Sequence, residues 1–542
     1  MTTELPTTWS YEADVVVVGG GNAGLPAAIS AHDAGASTLI VENNAFLGGL
    51  MRGSGGFMSF CATHVHDRNG VEDRVEWGIE DEMRLCEHRA VPEIVEAYVG
   101  GGRATCLWLE ELGLVFSDEL RNPAMGFEVG DARAVPRTHY AAVSPSGYYP
   151  GGSPKGENGF ALTSVLEKAV TSRGIRVLSE HRMRHIFREP GGRVIGIRAE
   201  TADGLVDIRA RRAVILASGG ATANEALVKA WDPRLVNDAV YPDGLPYMTA
   251  MGDAYVAGLE VGAGLSDMSF VSFLAIRYGS HYYSLSLSRI AGEEGIARVT
   301  GIPMAARKGA YQRIALLRGR GGRYIDESVA AQVSPGLIRD SASLPLAEYP
   351  EEPFNRTFLS LPDPKNVWAV TDAPNAEAMG WPIEEMAAPD PMHGRALHPD
   401  SVAISGTIAE LAEKIGMDPE LVERTMRRYN EGAKEGIDPD FGKRDYEPIA
   451  DGPFFAAKLN MIRHTPPGGL RINATGQVLD HSAMWDARVA APLADEPVIG
   501  GLYAAGEAAA FVGFRRSHRK TGPIITMGRI AGSAAAAEPA SD

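Results

Sequence analysis

The feature that most constrains this chain lies at its start, where Asp14-Val15-Val16-Val17-Val18 runs directly into Gly19-Gly20-Gly21-Asn22-Ala23-Gly24. The valines are β-branched and wholly apolar, the pattern of a strand buried on both faces of a parallel sheet. A helix-like stretch follows over residues 25–34. Gly19, Gly21 and Gly24 fit G-x-G-x-x-G. The first glycine permits a tight turn, the second lets the backbone approach a pyrophosphate, and the third lets helix pack on strand. A diphosphate there meets the unpaired N–H groups of the helix N-terminus, beside Asn22 and Ala23. A second strand over residues 37–41 ends at Glu42 and Asn43, where an acid can bind the adenosine ribose hydroxyls. Strand, helix, second strand and acid in that order indicate a Rossmann-like α/β domain and a dinucleotide. They do not separate FAD from NAD.

The other end of the chain bears on that choice. Residues 498–507, VIGGLYAAGE, read as a short strand ending at Gly506 and Glu507. Thr521-Gly522-Pro523 then opens a helix over residues 524–537, with proline at its start. A nicotinamide dehydrogenase rarely needs a C-terminal segment at its N-terminal nucleotide site. A flavoprotein does, because ribityl chain and isoalloxazine need contacts well beyond the pyrophosphate. Pro523 and Ile524 are therefore expected beside the flavin.

Composition narrows the class. The 542 residues are 45% apolar and 22% charged, which is globular and excludes disorder, collagen and coiled coil for the bulk of the chain. A net charge of −17 argues against general nucleic-acid binding and against adhesion to anionic membranes. Cys61, Cys86 and Cys106 form an odd, sparse set with no CxxC, which points to a reducing compartment and away from cysteine-ligated zinc or iron–sulfur sites. The first residues lack a basic and an apolar export region, and no run approaches the length needed to span a bilayer. The expectation is a cytoplasmic enzyme with no metal, a small-molecule substrate and an external electron acceptor or donor.

The chain resembles the flavoprotein superfamily of fumarate reductase, succinate dehydrogenase and 3-ketosteroid Δ1-dehydrogenase. The likeness rests on VVVVGGGNAG, GGLMRGSGG (48–56), AVILASGGA (213–221), AMGDAYVAGLEVGAGL (250–265), PPGGLRINATGQVLD (466–480) and GLYAAGE with TMGRIAG (526–532). It implies a glutathione-reductase-type FAD-binding domain from residues 1–267 and 463–542, with an α+β capping domain inserted over 268–462. It also implies cofactor contacts at Gly48, Gly49, Leu50, Ser54, Gly55, Gly56, Ala217, Gly219 and Asp253. Ser54 could reach flavin N5 or a ribityl hydroxyl, or be a plain turn serine. Relatives with covalent flavin carry a histidine just before the second Gly-Gly pair. Residues 49–56 have none, and His64 and His66 lie beyond, so the resemblance implies noncovalent FAD. Within the cap, residues 404–417 and 419–434 have helical apolar spacing; in the first part of the FAD-binding domain, residues 176–208 alternate as a β-meander.

The substrate side departs from the known members. The fumarate reductases' arginine acid falls on Ala331, and the histidine of their cap segment is missing near residues 270–274. The steroid dehydrogenases' tyrosine falls on Met461. Neither alanine nor methionine transfers a proton. What remains is His464, ahead of Gly468-Gly469, and Arg515, which matches the family's C-terminal carboxylate-binding arginine within the basic run 515–520. A guanidinium holds a carboxylate bidentately. Removing hydrogen next to a carbonyl also needs a base within hydrogen-bond reach. Tyr282, in the cap cluster 277–283, and Tyr148, in the loop SGYYPGGSPKGENG, are candidates alongside packing roles. The leading expectation is a dehydrogenase (desaturase) forming a C=C bond α,β to a carbonyl in a small or cyclic, carboxylate-bearing substrate. An enoate reductase runs the same chemistry in reverse, and a flavin-bearing redox partner without turnover is the reading of another class.

Overall fold

The structure is a computed structural model that describes residues 5–53, 56, 58–86, 88, 90–118, 120, 135–142, 159–190, 192–231, 240–242, 250–268, 273–278, 302–303, 310–328, 357–358, 360–363, 366–379, 402–463, 468–482, 496–510 and 521–541. The valine run forms β1 (Tyr11–Val18), and its four valines are buried. The glycines lead into α1 (Gly24–Asp33). β2 (Thr38–Val41) then pairs parallel with β1, Val15 opposite Thr38. Ser37 stays outside the strand, its N–H and hydroxyl donating to Asp14 at 2.9 and 2.8 Å.

β3 (Arg176–Leu178) extends the parallel sheet beyond β2. Only β4 (Arg182–Arg188), β5 (Val194–Thr201) and β6 (Gly204–Leu216) make the expected antiparallel meander. The far half of β6 continues as a parallel neighbour of β1. The first strand of the expected meander therefore belongs to the nucleotide-binding sheet.

A second sheet uses β7 (Val240–Pro242), β8 (Phe273–Tyr278), β9 (Ile302–Pro303), β10 (Ala315–Arg318), β11 (Gly322–Arg323), β12 (Val367–Asp372), β13 (Val402–Ser405) and β14 (Phe454–Arg463). Its order is β9-β8-β14-β12-β10-β11, with β13 and β7 also paired to the long β14. Between β7 and β8 lies α2 (Asp253–Glu260). β13 corrects the helical expectation at residues 404–405: Ile404 and Ser405 pair with Phe455 and Phe454. The helix starts later, as α3 (Ile408–Lys414), where the Thr407 hydroxyl accepts the Glu410 N–H at 3.2 Å. α4 (Pro419–Glu435) starts with Asp418 as cap and proline at its first position, and buries Val422, Met426 and Tyr429. These side chains share a core with Leu411, Trp368 and Phe454.

The chain returns to the first sheet through Gly469–Leu470, which pairs antiparallel with Leu265–Ser266. β15 (Gln477–Leu479) and β16 (Val498–Ala504) complete the order β15-β16-β6-β1-β2-β3, with β16 parallel to β6. α5 (Thr521–Ala537) then packs along α1. Its Gly528 and Gly532 lie against the Ala23 and Ala27 carbonyls so closely that a Cβ at either position would collide with them. Among the described residues no helix is long and apolar enough to cross a membrane.

Candidate cofactor and active site

The glycine loop is shaped by three separate constraints. Gly19 has φ +101° and lies against the Ala217 carbonyl, where a side chain would clash. Gly24 faces the Gly19 carbonyl at a distance that leaves no room for a Cβ. Above Gly21, by contrast, a Cβ would meet nothing within 4 Å. The first and third glycines thus hold strand and helix together, and the second leaves the space a pyrophosphate needs. Asn22 and Ala23 complete the loop. Gly48, Gly49 and Leu50 dock beside it: the Gly48 N–H donates to the Gly20 carbonyl at 2.7 Å, and a Cβ at Gly49 would lie 3.7 Å from Gly21 Cα. Ala217 is tied to the end of β1 by its N–H to the Val18 carbonyl at 2.8 Å, and Gly219 follows at φ +81°. Between them, the Ser218 hydroxyl is buried with no partner among the described residues. Gly56 is buried nearby in sequence.

Glu42 is 6% exposed at the end of β2. Its Oε2 accepts the Gly20 N–H at 2.7 Å, while Oε1 accepts the Asn44 N–H at 2.8 Å and Asn44 Nδ2 at 3.0 Å. Burial pushes its carboxyl above the ordinary range, opposed by N–H donors from Asn44, Gly20 and Asn43. The carboxylate keeps lone pairs for further donors, because each oxygen can accept more than one hydrogen bond.

The C-terminal expectations meet this loop. Gly506, at φ +68°, approaches Ala23 so that a Cβ would lie 2.8 Å from the Ala23 Cβ and 3.8 Å from Ile524 Cγ2. The Ala505 N–H donates to the Leu216 carbonyl at 2.9 Å, which fixes the turn Gly506–Ala508 at the end of β6. Gly506, Glu507, Pro523 and Ile524 are thereby gathered where α1 begins. The Tyr255 hydroxyl lies 2.5 Å from the Glu507 carbonyl and 3.2 Å from that of Gly468.

Both oxygens of Asp253 accept from Arg182 on β4, at 2.7 Å each, so this carboxylate locks α2 to the meander and keeps lone pairs for further donors. The pair raises the arginine's affinity for its proton, chiefly through the hydrogen bonds. Arg515, His464, Tyr282, Tyr148, Ser54 and Gly55 lie outside the described residues, as does Ala331. Asn44 and Tyr255 were not singled out by sequence reasoning. The available signals are an Asn-Asn pair after a strand-ending acid and a lone aromatic in the small-residue stretch AMGDAYVAG.

A buried polar cluster stands close by. Met58–Ser59 pairs with Thr138–His139, and Gly522 of α5 packs on the Ser59 carbonyl. The Thr63 hydroxyl is 2.8 Å from both His66 Nδ1 and His139 Nε2. His66 Nε2 and His139 Nδ1 reach the carbonyls of Pro136 and Arg137 at 3.0 and 2.8 Å. Carbonyls only accept, so those two nitrogens carry protons, and His66 Nδ1 accepts the Thr63 N–H at 3.1 Å, which makes that ring neutral. Burial, then the neighbouring His66, push His139 down to about 3. His64 lies 2.8 Å from Glu110. Among the described residues no group of histidine, cysteine, aspartate and glutamate could hold a metal ion.

Comparison with known proteins bears on the same residues. The family described as FAD binding domain matches residues 14–522. A urocanate reductase of Eggerthella lenta is 27% identical over 98% of this chain and 76% of its own length. A 4-oxocyclohexanecarboxylate 2-dehydrogenase of Sinomonas cyclohexanicum is 26% identical over 97% of this chain and 93% of its own. A flavocytochrome c3 fumarate reductase solved in an open conformation superposes with a TM-score of 0.71 at 24% identity, covering 97% of this chain and 78% of that one.

Proposed function

The chain belongs to the FAD binding domain family, and on that footing we propose that it is an oxidoreductase acting on a carbon–carbon bond next to a carbonyl. The residues present suit FAD. Gly21 leaves open space, Ser218 offers a buried hydroxyl with no partner among the described residues, and Gly506 is brought to within a Cβ's reach of Ala23. That last observation carries the reading, because a cofactor confined to the N-terminal loop has no need of a segment from the far end. Bound there, FAD supplies a two-electron acceptor for hydride.

Glu42 and the glycine loop would hold the adenosine and pyrophosphate, and Gly506, Glu507, Pro523 and Ile524 the flavin half. Noncovalent attachment is supported by the nearest histidines being engaged elsewhere, His66 with Thr63 and Pro136, and His64 beside Glu110. We assign residues 268–462 as the substrate-side cap, Arg515 and His464 to the substrate carboxylate, and Tyr282 and Tyr148 as candidates for moving the proton. A cytoplasmic location fits three buried cysteines that form no disulfide.

The preferred direction is desaturation of a saturated cyclic ketone or acid, in line with the Sinomonas relative named for a ring carboxylate bearing a ketone. The reverse reading, an enoate reductase, is favoured by the Eggerthella relative named for urocanate. Anaerobic half-reactions separate them. Loss of the flavin's visible band on adding 4-oxocyclohexanecarboxylate or a similar saturated ketone establishes the first. A reduced enzyme reoxidised only by enoates establishes the second.

A further inference from the structure

We propose that Tyr255 is a positioning residue for the flavin half of the cofactor, holding the turn Gly506–Ala508 in register with Gly468. Tyr255 is fully buried in α2, with Trp231 edge-on at 5.9 Å between ring centroids. Its one hydroxyl proton faces two main-chain carbonyls, Glu507 at 2.5 Å and Gly468 at 3.2 Å. These carbonyls stand just before two segments that run side by side: Leu470 and Ala509 form a parallel bridge, and the Ala510 N–H donates to the Leu470 carbonyl at 2.8 Å. Tyr255 closes the open end of that short ladder, where main-chain pairing stops and the turn toward Ala23 begins.

The scaffold behind the hydroxyl is rigid. α2 is locked at its first residue by the bidentate Arg182–Asp253 pair, and the Tyr255 N–H donates to the Gly252 carbonyl at 3.0 Å. A phenol fixed at its base and buried along its length sets the carbonyls it meets to a narrow range of positions. The turn it sets is the one whose Gly506 touches Ala23, on the opposite side of the glycine loop from Glu42. Loss of the hydroxyl removes the donor that the buried Gly468 carbonyl shares with the half-buried Glu507 carbonyl, and the turn relaxes toward other donors. The consequence should fall on the ribityl and isoalloxazine half and spare the adenosine half. The inference rests on the reading of Gly506 and Glu507 as flavin-facing.

The test compares FAD with ADP on apoprotein carrying Tyr255→Phe. FAD affinity should weaken roughly 5- to 150-fold, the range for orphaning a buried polar group, with ADP affinity unchanged. The visible band of the bound flavin and its midpoint potential should shift as well, which a loss of overall stability would not cause. Equal weakening of FAD and ADP, or an unchanged FAD affinity with an unchanged flavin spectrum, overturns the proposal. If the phenylalanine variant does not fold, 3-fluorotyrosine placed at 255 keeps the shape and strengthens the donor. An unshifted flavin band and potential in that protein overturns it equally. Wild-type protein that binds no FAD would instead overturn the cofactor assignment itself.

Discussion

Glu42 holds the backbone N–H of Gly20 on its Oε2 at 2.7 Å, so the acid at the end of the second strand is also a strut of the glycine loop one strand away. Its other oxygen is filled by Asn44. A residue expected to meet the ribose is thus part of what shapes the turn beneath the pyrophosphate.

Glu42→Ala should therefore weaken FAD by more than a lost ribose contact alone. It orphans the buried Gly20 N–H, at a cost of about 1–3 kcal/mol, besides removing the acceptor for the ribose hydroxyls. Titration of apoprotein followed by flavin fluorescence should show the loss, with the rate of FAD-saturated enzyme little changed. Normal FAD affinity in this variant would mean that the N-terminal loop is misassigned.

Stability should fall with acid before the carboxylates titrate. His139 is neutral in the fold with its pKa held at about 3, and burial also lowers that of His66. In the unfolded chain both titrate near 6.5. A folded value below the unfolded one means the unfolded state gains protons first, so the stability present above about pH 6.5 is lost as the pH drops toward 3. His139 alone should contribute a slope of about 1.4 kcal/mol per pH unit in that window. Urea midpoints at pH 7, 6, 5 and 4 measure it, and His139→Asn should flatten the curve. An equal slope in that variant would place the titration elsewhere.

The second sheet and α4 should be held by a charge network that tolerates no single loss. Arg323 donates to Glu327 at 3.0 and 2.8 Å and to Asp438 at 2.8 Å, while Lys443 Nζ lies 3.0 Å from Glu327. Their side chains are at most 2% exposed. Glu327→Gln should cost about 3–5 kcal/mol, as removal of one member strands the others, readable as a lowered denaturant midpoint. The same network keeps Arg323 from acting as a proton donor, and Arg313 is engaged by Asn375 at 2.9 Å. Viologen-reduced enzyme should accordingly leave fumarate unreduced. Robust fumarate turnover would move the acid to Arg277 or Arg289.

Arg515→Ala should weaken a carboxylate substrate roughly 10- to 150-fold, the range for a hydrogen bond to a charged group, with the bound flavin's spectrum unchanged. Arg515→Lys should recover part of this, since an ammonium lacks the planar fork. Arg519 and Lys520, treated likewise, should alter only the salt dependence. The measurement is flavin reduction in the half-reaction. Unchanged affinity and rate in Arg515→Ala would leave the run 515–520 a solvated surface.

What was legible in the sequence was whatever depends on neighbours along the chain. The valines of β1, the glycine turn and the proline-led start of α4 follow from local shape and hydrophobicity. The misreadings depend on partners. Ile404 fits a helical period and a strand period alike, and only Phe455 across β14 decides it. Val177 alternates as a meander strand would, but its neighbour is Ile40 in the parallel sheet. Asp253 is legible as an acid after a glycine, but its Arg182 partner, 71 positions away, is not. Tyr255 could not be singled out because its significance lies in two carbonyls more than 200 positions away, recorded as separations of 213 and 252.

Among the described residues, seven of the eight strands of the second sheet lie between Leu265–Ser266 and Gly469–Leu470, and those two short segments are hydrogen-bonded to each other. A stretch of chain that leaves and re-enters at one place can be lengthened, shortened or replaced without rethreading the rest. Such a cassette lets descent with modification rework the second sheet while the glycine loop and α5 stay fixed. Grafting this stretch between members of the family, cut at the paired segments, is the corresponding engineering route to a changed second sheet on an inherited first one.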